Sequence, residues 1–577
     1  NVGGTSAGAI AAVVTAACER KRLDGDANAF ATLEAVPAWL GATDSRGDSN
    51  LFRLFQPDRR TRPLFALVTA AMSHPQETIP FELALAALRG FRGWAILGAL
   101  PGLLVFAGSF VAIAPDAHIW KALLLLALLL CATGFVVVGA LAGAGVGFMV
   151  RVPDALKATL FGTCTGSWTG DEHPPGGDDT GKPMTPWLAV LIDRAAGHSY
   201  DTPLTFGDLW GADPAQREVV LQTFSTCLTL GRPFRVPFAA DEHFLFKPSE
   251  WKRLFPERIV DALAQGVDWR ADEDTNLPLP AAAKLPVVVG ARLSMSFPFL
   301  LSAIPLYDEA GTQHWFSDGG ICSNFPLHFF DAPLPRWPTF GLDLQDTTDT
   351  DAELVWMPAR NTDPQPPPDQ PVEDVTSLAN WIVETAMDWH DNVTVAQPGY
   401  RDRVCTIRFL PGEGGLNLNM APELIATLSE RGRQAGALLA SRFTPAWDDP
   451  NAPELSWDNH RWLRYRTALA TVEPFLSKLL KGWADDLTLQ QLFAGYAPPP
   501  RPPGERTYPE IATDPRHAYG ALDPQQTTLA ADETAALVAV ALDWVTRRGA
   551  DLPAPATPSL QVGAPEPRPD LRITPSQ

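Results

Sequence analysis

Val2-Gly3-Gly4-Thr5-Ser6-Ala7-Gly8-Ala9 decides how the chain is read. It is a G-x-S-x-G pentapeptide that leads into an apolar, helix-like run from Ala7 to about Ala17. A serine on a sharp strand-to-helix turn is held in a strained backbone conformation with its hydroxyl pushed into the open. Gly4 and Gly8 are expected to flank it because a side chain there would clash where helix and strand backbones meet. The helix points its positive end at the serine, where an oxyanion would develop. Ser6 therefore reads as a nucleophile. The run is not expected to be a signal sequence: no basic residue precedes it from Asn1, and Arg20, Lys21 and Arg22 lie on the wrong side.

Far downstream, Trp315-Phe316-Ser317-Asp318-Gly319-Gly320 ends a short apolar segment in an aspartate followed by two glycines. One reading is a plain turn, since Asp-Gly is a common turn pair. The other is an aspartate presented at a strand end, with Gly319 and Gly320 letting another backbone approach.

Together the G-x-S-x-G and D-G-G blocks resemble the patatin-like phospholipases, whose catalytic pair is a Ser-Asp dyad. The segment Ala291–Ser302 with Ala303-Ile304-Pro305 is similar to the one preceding the dyad aspartate in that family, and Asn324 and Pro326 follow at the usual distance. Bacterial members carry stretches like Pro203–Leu209, Thr226–Pro233, Pro398–Arg403 and Glu413–Met420, so the resemblance spans residues 1 to about 470. It implies a three-layer α/β/α domain over residues 1–495, with the nucleophile elbow at 2–22 and the second catalytic block at 314–326. It also implies a lipid acyl hydrolase in which Ser6 attacks and Asp318 takes its proton. The family builds its oxyanion hole from a glycine-rich loop on a strand ahead of the nucleophile. The sequence starts at Asn1 and reads as N-terminally incomplete, leaving the N–H of Ala7 as the donor that can be assigned. One lost donor typically costs about 10²–10³ in rate.

Residues 94–114 carry no charge, nor do residues 122–149, where Leu123–Leu130 is nearly all leucine. About 20 apolar residues span a bilayer core, so the pair is expected to be a transmembrane hairpin inserted in the catalytic domain. A buried helical hairpin is the alternative. Gly98 and Gly102, and Gly139, Gly143 and Gly147, recur every fourth residue, as close helix packing in lipid requires. Arg89 and Arg92 precede the hairpin and Arg151 and Lys157 follow it, which places both flanks, and so Ser6 and Asp318, on the cytoplasmic side. A bacterial inner membrane is the expected location. The basic stretch Phe52–Arg62 reads as solvated surface, or else as a contact for anionic head groups.

The chain's 577 residues carry a net charge of −21, which argues against nucleic acid as a partner. The partners implied are a membrane lipid substrate and the bilayer. Six scattered cysteines show no metal-site spacing, and no cofactor is implied. Among the remaining segments, 166–186 and Asp349–Val372 read as surface loops, and Lys247–Leu263 and Thr376–Asn392 as helices. Val219–Leu230, Phe340–Leu344 and Val404–Leu410 read as strands. The tryptophans of Trp447–Trp462 read as core. An α-rich C-terminal part follows, with a proline-rich linker at 496–524, a terminal helix at 525–549 and a disordered tail at 550–577. Two rivals to the dyad remain open. One is an α/β-hydrolase triad using a histidine such as His328 or His390; the other is a catalytically degenerate patatin fold acting as a membrane scaffold.

Overall fold

The computed structural model describes chiefly residues 1–73, 79–111, 119–168, 181–360, 375–443, 455–484 and 524–549. The protein is mixed α/β. Its main sheet has seven strands that curl as a half-barrel, in the order β1-β3-β9-β8-β5-β6 with β4 on the side of β3. These are β1 (Val2–Gly4), β3 (Leu221–Cys227), β4 (Arg232–Val236), β5 (Leu245–Phe246), β6 (Leu277–Pro278), β8 (Ile304–Tyr307) and β9 (Gln313–Asp318). Within this sheet β1 and β3 run parallel, whereas β3 and β9 are antiparallel, with Ser225 opposite Asp318. Two strands, β2 (Gly162–Cys164) and β7 (Phe299–Leu301), pair separately, and β10 (Gly341–Asp346), β12 (Val404–Phe409) and β11 (Val355–Trp356) form a third sheet.

The core lies between the main sheet and the helices Ala7–Leu23, Met184–Ala196 and Val287–Ser294. Val13, Cys18, Leu188, Phe206, Val289, Ile304 and Phe316 are all inaccessible to solvent there. Val287-Val288-Val289 has β-branched chemistry yet forms a helix, because all of its faces are buried and Pro286 starts the turn.

Several sequence expectations are corrected. Lys247–Leu263 is two helices, Pro248–Trp251 and Glu257–Ala264, because Pro256 cannot continue the first. The end of the 166–186 loop is buried: Met184, Thr185 and Pro186 open the Met184–Ala196 helix. The acidic loop after Asp349 contains β11, whose Val355 pairs with Ile407. Trp462 is 56% exposed and stacks on Tyr465 rather than entering a core; Trp447 lies outside the described residues. So do the tail at 550–577 and nearly all of the 496–524 linker. The terminal helix covers Pro524–Gly549.

The uncharged runs form two helices, Arg92–Val111 and Ile119–Ala158, both long and apolar enough to cross a membrane. Leu104, Leu130, Val138 and Met149 stand out from them into the surroundings. The recurrent glycines lie in the seam: a Cβ on Gly98 would run into the Gly139 carbonyl, one on Gly143 into the Trp94 carbonyl, and one on Gly102 into the backbone of Val136. The second helix outlasts its uncharged run and is fixed to the core at its foot. Arg253 donates to the Ala158 carbonyl, Ser302 Oγ to the Thr159 carbonyl, and Thr61 Oγ1 to the Thr163 carbonyl at 2.6 Å.

Candidate active site

Chain direction places Ser6. β1 ends at Gly4, and the helix Ala7–Leu23 begins three residues later, so the chain must reverse within Thr5 and Ser6. Ser6 takes φ 53° and ψ −127°. An L-residue with a positive φ is strained by roughly 1–3 kcal/mol and persists only where its surroundings impose it. Two contacts do so here. The Ser6 N–H donates to Ser294 Oγ at 3.1 Å, and Gly4 leaves room for the helix, since a Cβ there would collide with the carbonyl of Gly8. Gly8 itself differs from expectation: a Cβ on it would meet open space, so the crowding belongs to Gly4 and to the Gly8 backbone.

Asp318 ends β9 beside Ser225 of β3, which brings it to the mouth of the same turn. The Ser6 hydroxyl donates to Asp318 Oδ2 at 2.7 Å, across 312 positions of sequence. Asp318 Oδ1 accepts the Gly320 N–H at 2.8 Å, and its own N–H donates to the Ser296 carbonyl at 3.0 Å. The carboxyl is 3% exposed, and burial pushes its pKa up to about 6, against the hydrogen bonds from Ser6 and Gly320 that favour the charged form. It is thus ionised at neutral pH yet close to taking a proton, which suits a general base.

Gly319 and Gly320 are crowded positions. A Cβ on Gly319 would strike the Phe224 carbonyl and the Thr5 methyl, and one on Gly320 would strike Asn324 Oδ1. Ala7 begins the helix directly after Ser6, so its N–H is one of those with no carbonyl from an earlier turn to bond. Sequence reasoning placed Ala291–Ser302 ahead of the aspartate but missed its purpose. Ser294 fixes the Ser6 backbone and Ser296 fixes that of Asp318, both from one buried helix end. Among the described residues no histidine is hydrogen-bonded to Ser6 or Asp318; the side chains of His328 and His390 lie outside the described ones.

No protein-family model matches the chain. It is 32% identical over 400 residues to a protein named RpoH suppressor from Rhizobium meliloti (strain 1021). The aligned stretch is 57% of this chain and 60% of that protein, so the chain spans about 60% of the length of the relative it matches.

Proposed function

We propose that the protein is a serine lipid acyl hydrolase of the patatin-like phospholipase type, working through Ser6 and Asp318 on acyl esters at the cytoplasmic face of a bacterial inner membrane. The observation that carries this reading is the 2.7 Å hydrogen bond from the Ser6 hydroxyl to a buried carboxylate, made from a strained turn. Buried serine–aspartate pairs also occur as plain structural contacts. What favours chemistry here is their conjunction with a positive φ at the serine and a helix terminus aimed at it.

In the reaction Asp318 accepts the hydroxyl proton as Ser6 Oγ bonds to the ester carbonyl carbon. Negative charge on the former carbonyl oxygen is met by the Ala7 N–H and the helix end. The ester C–O bond breaks, and the leaving alkoxide takes the proton from Asp318. Water then adds to the acyl-enzyme, again with Asp318 holding the transferred proton. The fatty acid leaves and Ser6 regains its hydrogen. The resemblance calls for a further donor on a strand beside the nucleophile strand. Among the described residues β1 pairs on one side, with β3, and an extended segment along its other side would bring N–H groups to Ser6.

In this reading the two apolar helices cross the bilayer as a hairpin, and their bolted foot holds the dyad near the lipid surface. The three-layer arrangement and the cytoplasmic side belong to the same proposal. A fluorophosphonate probe tests it. Labelling at Ser6 that vanishes in Ser6→Ala and survives substitution of every histidine is the expected result. A chain that hydrolyses no acyl ester and takes no label would favour a scaffold, and histidine dependence would favour a triad. Alkaline carbonate extraction tests the hairpin, with release into the soluble phase as the adverse result.

A further inference from the structure

Resting on the acyl-hydrolase reading, we propose that Asp391 is a positioning residue for the dyad, although it lies in neither catalytic block. Asp391 sits on the helix Val375–Val395 and is 5% exposed. Its carboxylate gathers three donors from one turn: the Asn324 N–H at 2.7 Å, the Phe325 N–H at 2.8 Å and Ser323 Oγ at 2.8 Å. One helical turn earlier, Asp388 accepts the Asn324 Nδ2 at 2.8 Å. The helix therefore grips residues 323–325 by main chain and side chain together.

That turn touches both halves of the dyad. The Asn324 carbonyl accepts from Thr5 Oγ1 at 3.4 Å, beside Ser6. Asn324 Oδ1 occupies the space where a side chain on Gly320 would lie, and the Gly320 N–H is what holds Asp318 Oδ1. With Asp318 Oδ1 fixed, Oδ2 is left facing the Ser6 hydroxyl. Releasing the turn frees Gly320, lets the Asp318 carboxylate rotate, and loosens Thr5 in the same movement. Charge-assisted bonds to backbone N–H groups are the strong kind, so one carboxylate suffices as the anchor.

The test uses the full chain in detergent, with two readouts: the fluorophosphonate labelling rate at Ser6, and kcat and KM on a p-nitrophenyl acyl ester. Asp391→Ala is expected to lower kcat and the labelling rate about 100-fold, as a displaced catalytic group does, with KM within twofold. Asp391→Asn keeps an acceptor oxygen and is expected to recover part of the rate. A merely structural carboxylate would change the thermal midpoint and leave the labelling rate per folded molecule untouched, and that result overturns the proposal. If Asp391→Ala does not fold, Asp388→Asn and Ser323→Ala each remove one bond of the grip. Several-fold slower labelling in them supports the proposal, and wild-type labelling in both overturns it. A wild-type chain that takes no label at Ser6 overturns the hydrolase reading instead, a separate outcome.

Discussion

The dyad and the helical hairpin both depend on backbones approaching more closely than side chains allow, but to different ends. In the hairpin, Gly98, Gly102, Gly139 and Gly143 leave out the Cβ atoms that would keep the two backbones apart, and the gain is extended van der Waals contact between apolar rods. At the dyad one crowded glycine, Gly4, admits the helix end while Gly319 and Gly320 admit the neighbouring chain, and the gain is placement of a strained serine against a carboxylate. The seam spreads its contacts over many residues and tolerates small shifts; the site concentrates its geometry in a few polar bonds and does not. Damage to the first should cost stability, and damage to the second should cost rate.

The sharpest separation is expected at Asp318. Asp318→Asn removes the base and should lower kcat about 10⁴-fold or more. Its effect on stability has the opposite sign. Burial raises the carboxyl pKa to about 6, so the stability this group contributes is fully present below the unfolded value of about 3.9 and is lost as pH rises through 6. At pH 8 the folded protein carries an ionised group that it disfavours, and the amide relieves this by about 2–3 kcal/mol. Thermal melts at pH 8 should show the inactive variant to be the more stable one. A lower melting point would mean that the Ser6 and Gly320 bonds outweigh the burial cost.

Gly4→Ala should come next. Its new Cβ meets the Gly8 backbone, which cannot yield as a flexible side chain would, so a loss of about 3 kcal/mol or failure to fold is expected by urea titration. In the hairpin, Gly143→Leu should cost about 1–3 kcal/mol in detergent unfolding with labelling of Ser6 retained. Gly145→Leu, on the same helix but with open space at its Cβ, is the control that should change nothing. Equal losses from the two would contradict the assigned seam. Activity in the wild type should fall with pH on the acid side, about tenfold per unit below 6, as Asp318 takes up a proton in the free enzyme. A limb centred near pH 4 would remove the burial argument.

Much of this was legible in the sequence, and physics explains the division. The elbow and the D-G-G block were visible because sharp turns and close approaches admit so few residue types. The helix pair was visible because two long runs carry no charge, and its four-residue glycine spacing named the seam. Lys247–Leu263 was misread because apolar periodicity ran on through Pro256. The roles of Ser294, Ser296 and Asp391 were not legible, since a hydroxyl or carboxylate that braces another element carries no local signature, and Ser296 acts through a backbone carbonyl that any residue would offer. Such partners are chosen by tertiary proximity alone, and only coordinates pair Asp391 with a turn far upstream.

The smallest effect is also the one that isolates crowding from motif. Gly8 belongs to the pentapeptide as formally as Gly4 does, yet the face on which its Cβ would stand is open. Gly8 lies inside the first turn of the Ala7–Leu23 helix, where alanine is favoured over glycine by roughly 0.5–1 kcal/mol. Gly8→Ala should therefore leave the melting temperature unchanged or slightly raised in the same assay that registers Gly4→Ala as severe. Labelling of Ser6 should persist, because the Ala7 N–H and the bond to Asp318 do not involve that face. A Gly8→Ala chain that folds but loses its label would show that an incoming acyl ester needs the open space beside Gly8, and the second glycine would then be explained by substrate rather than by packing.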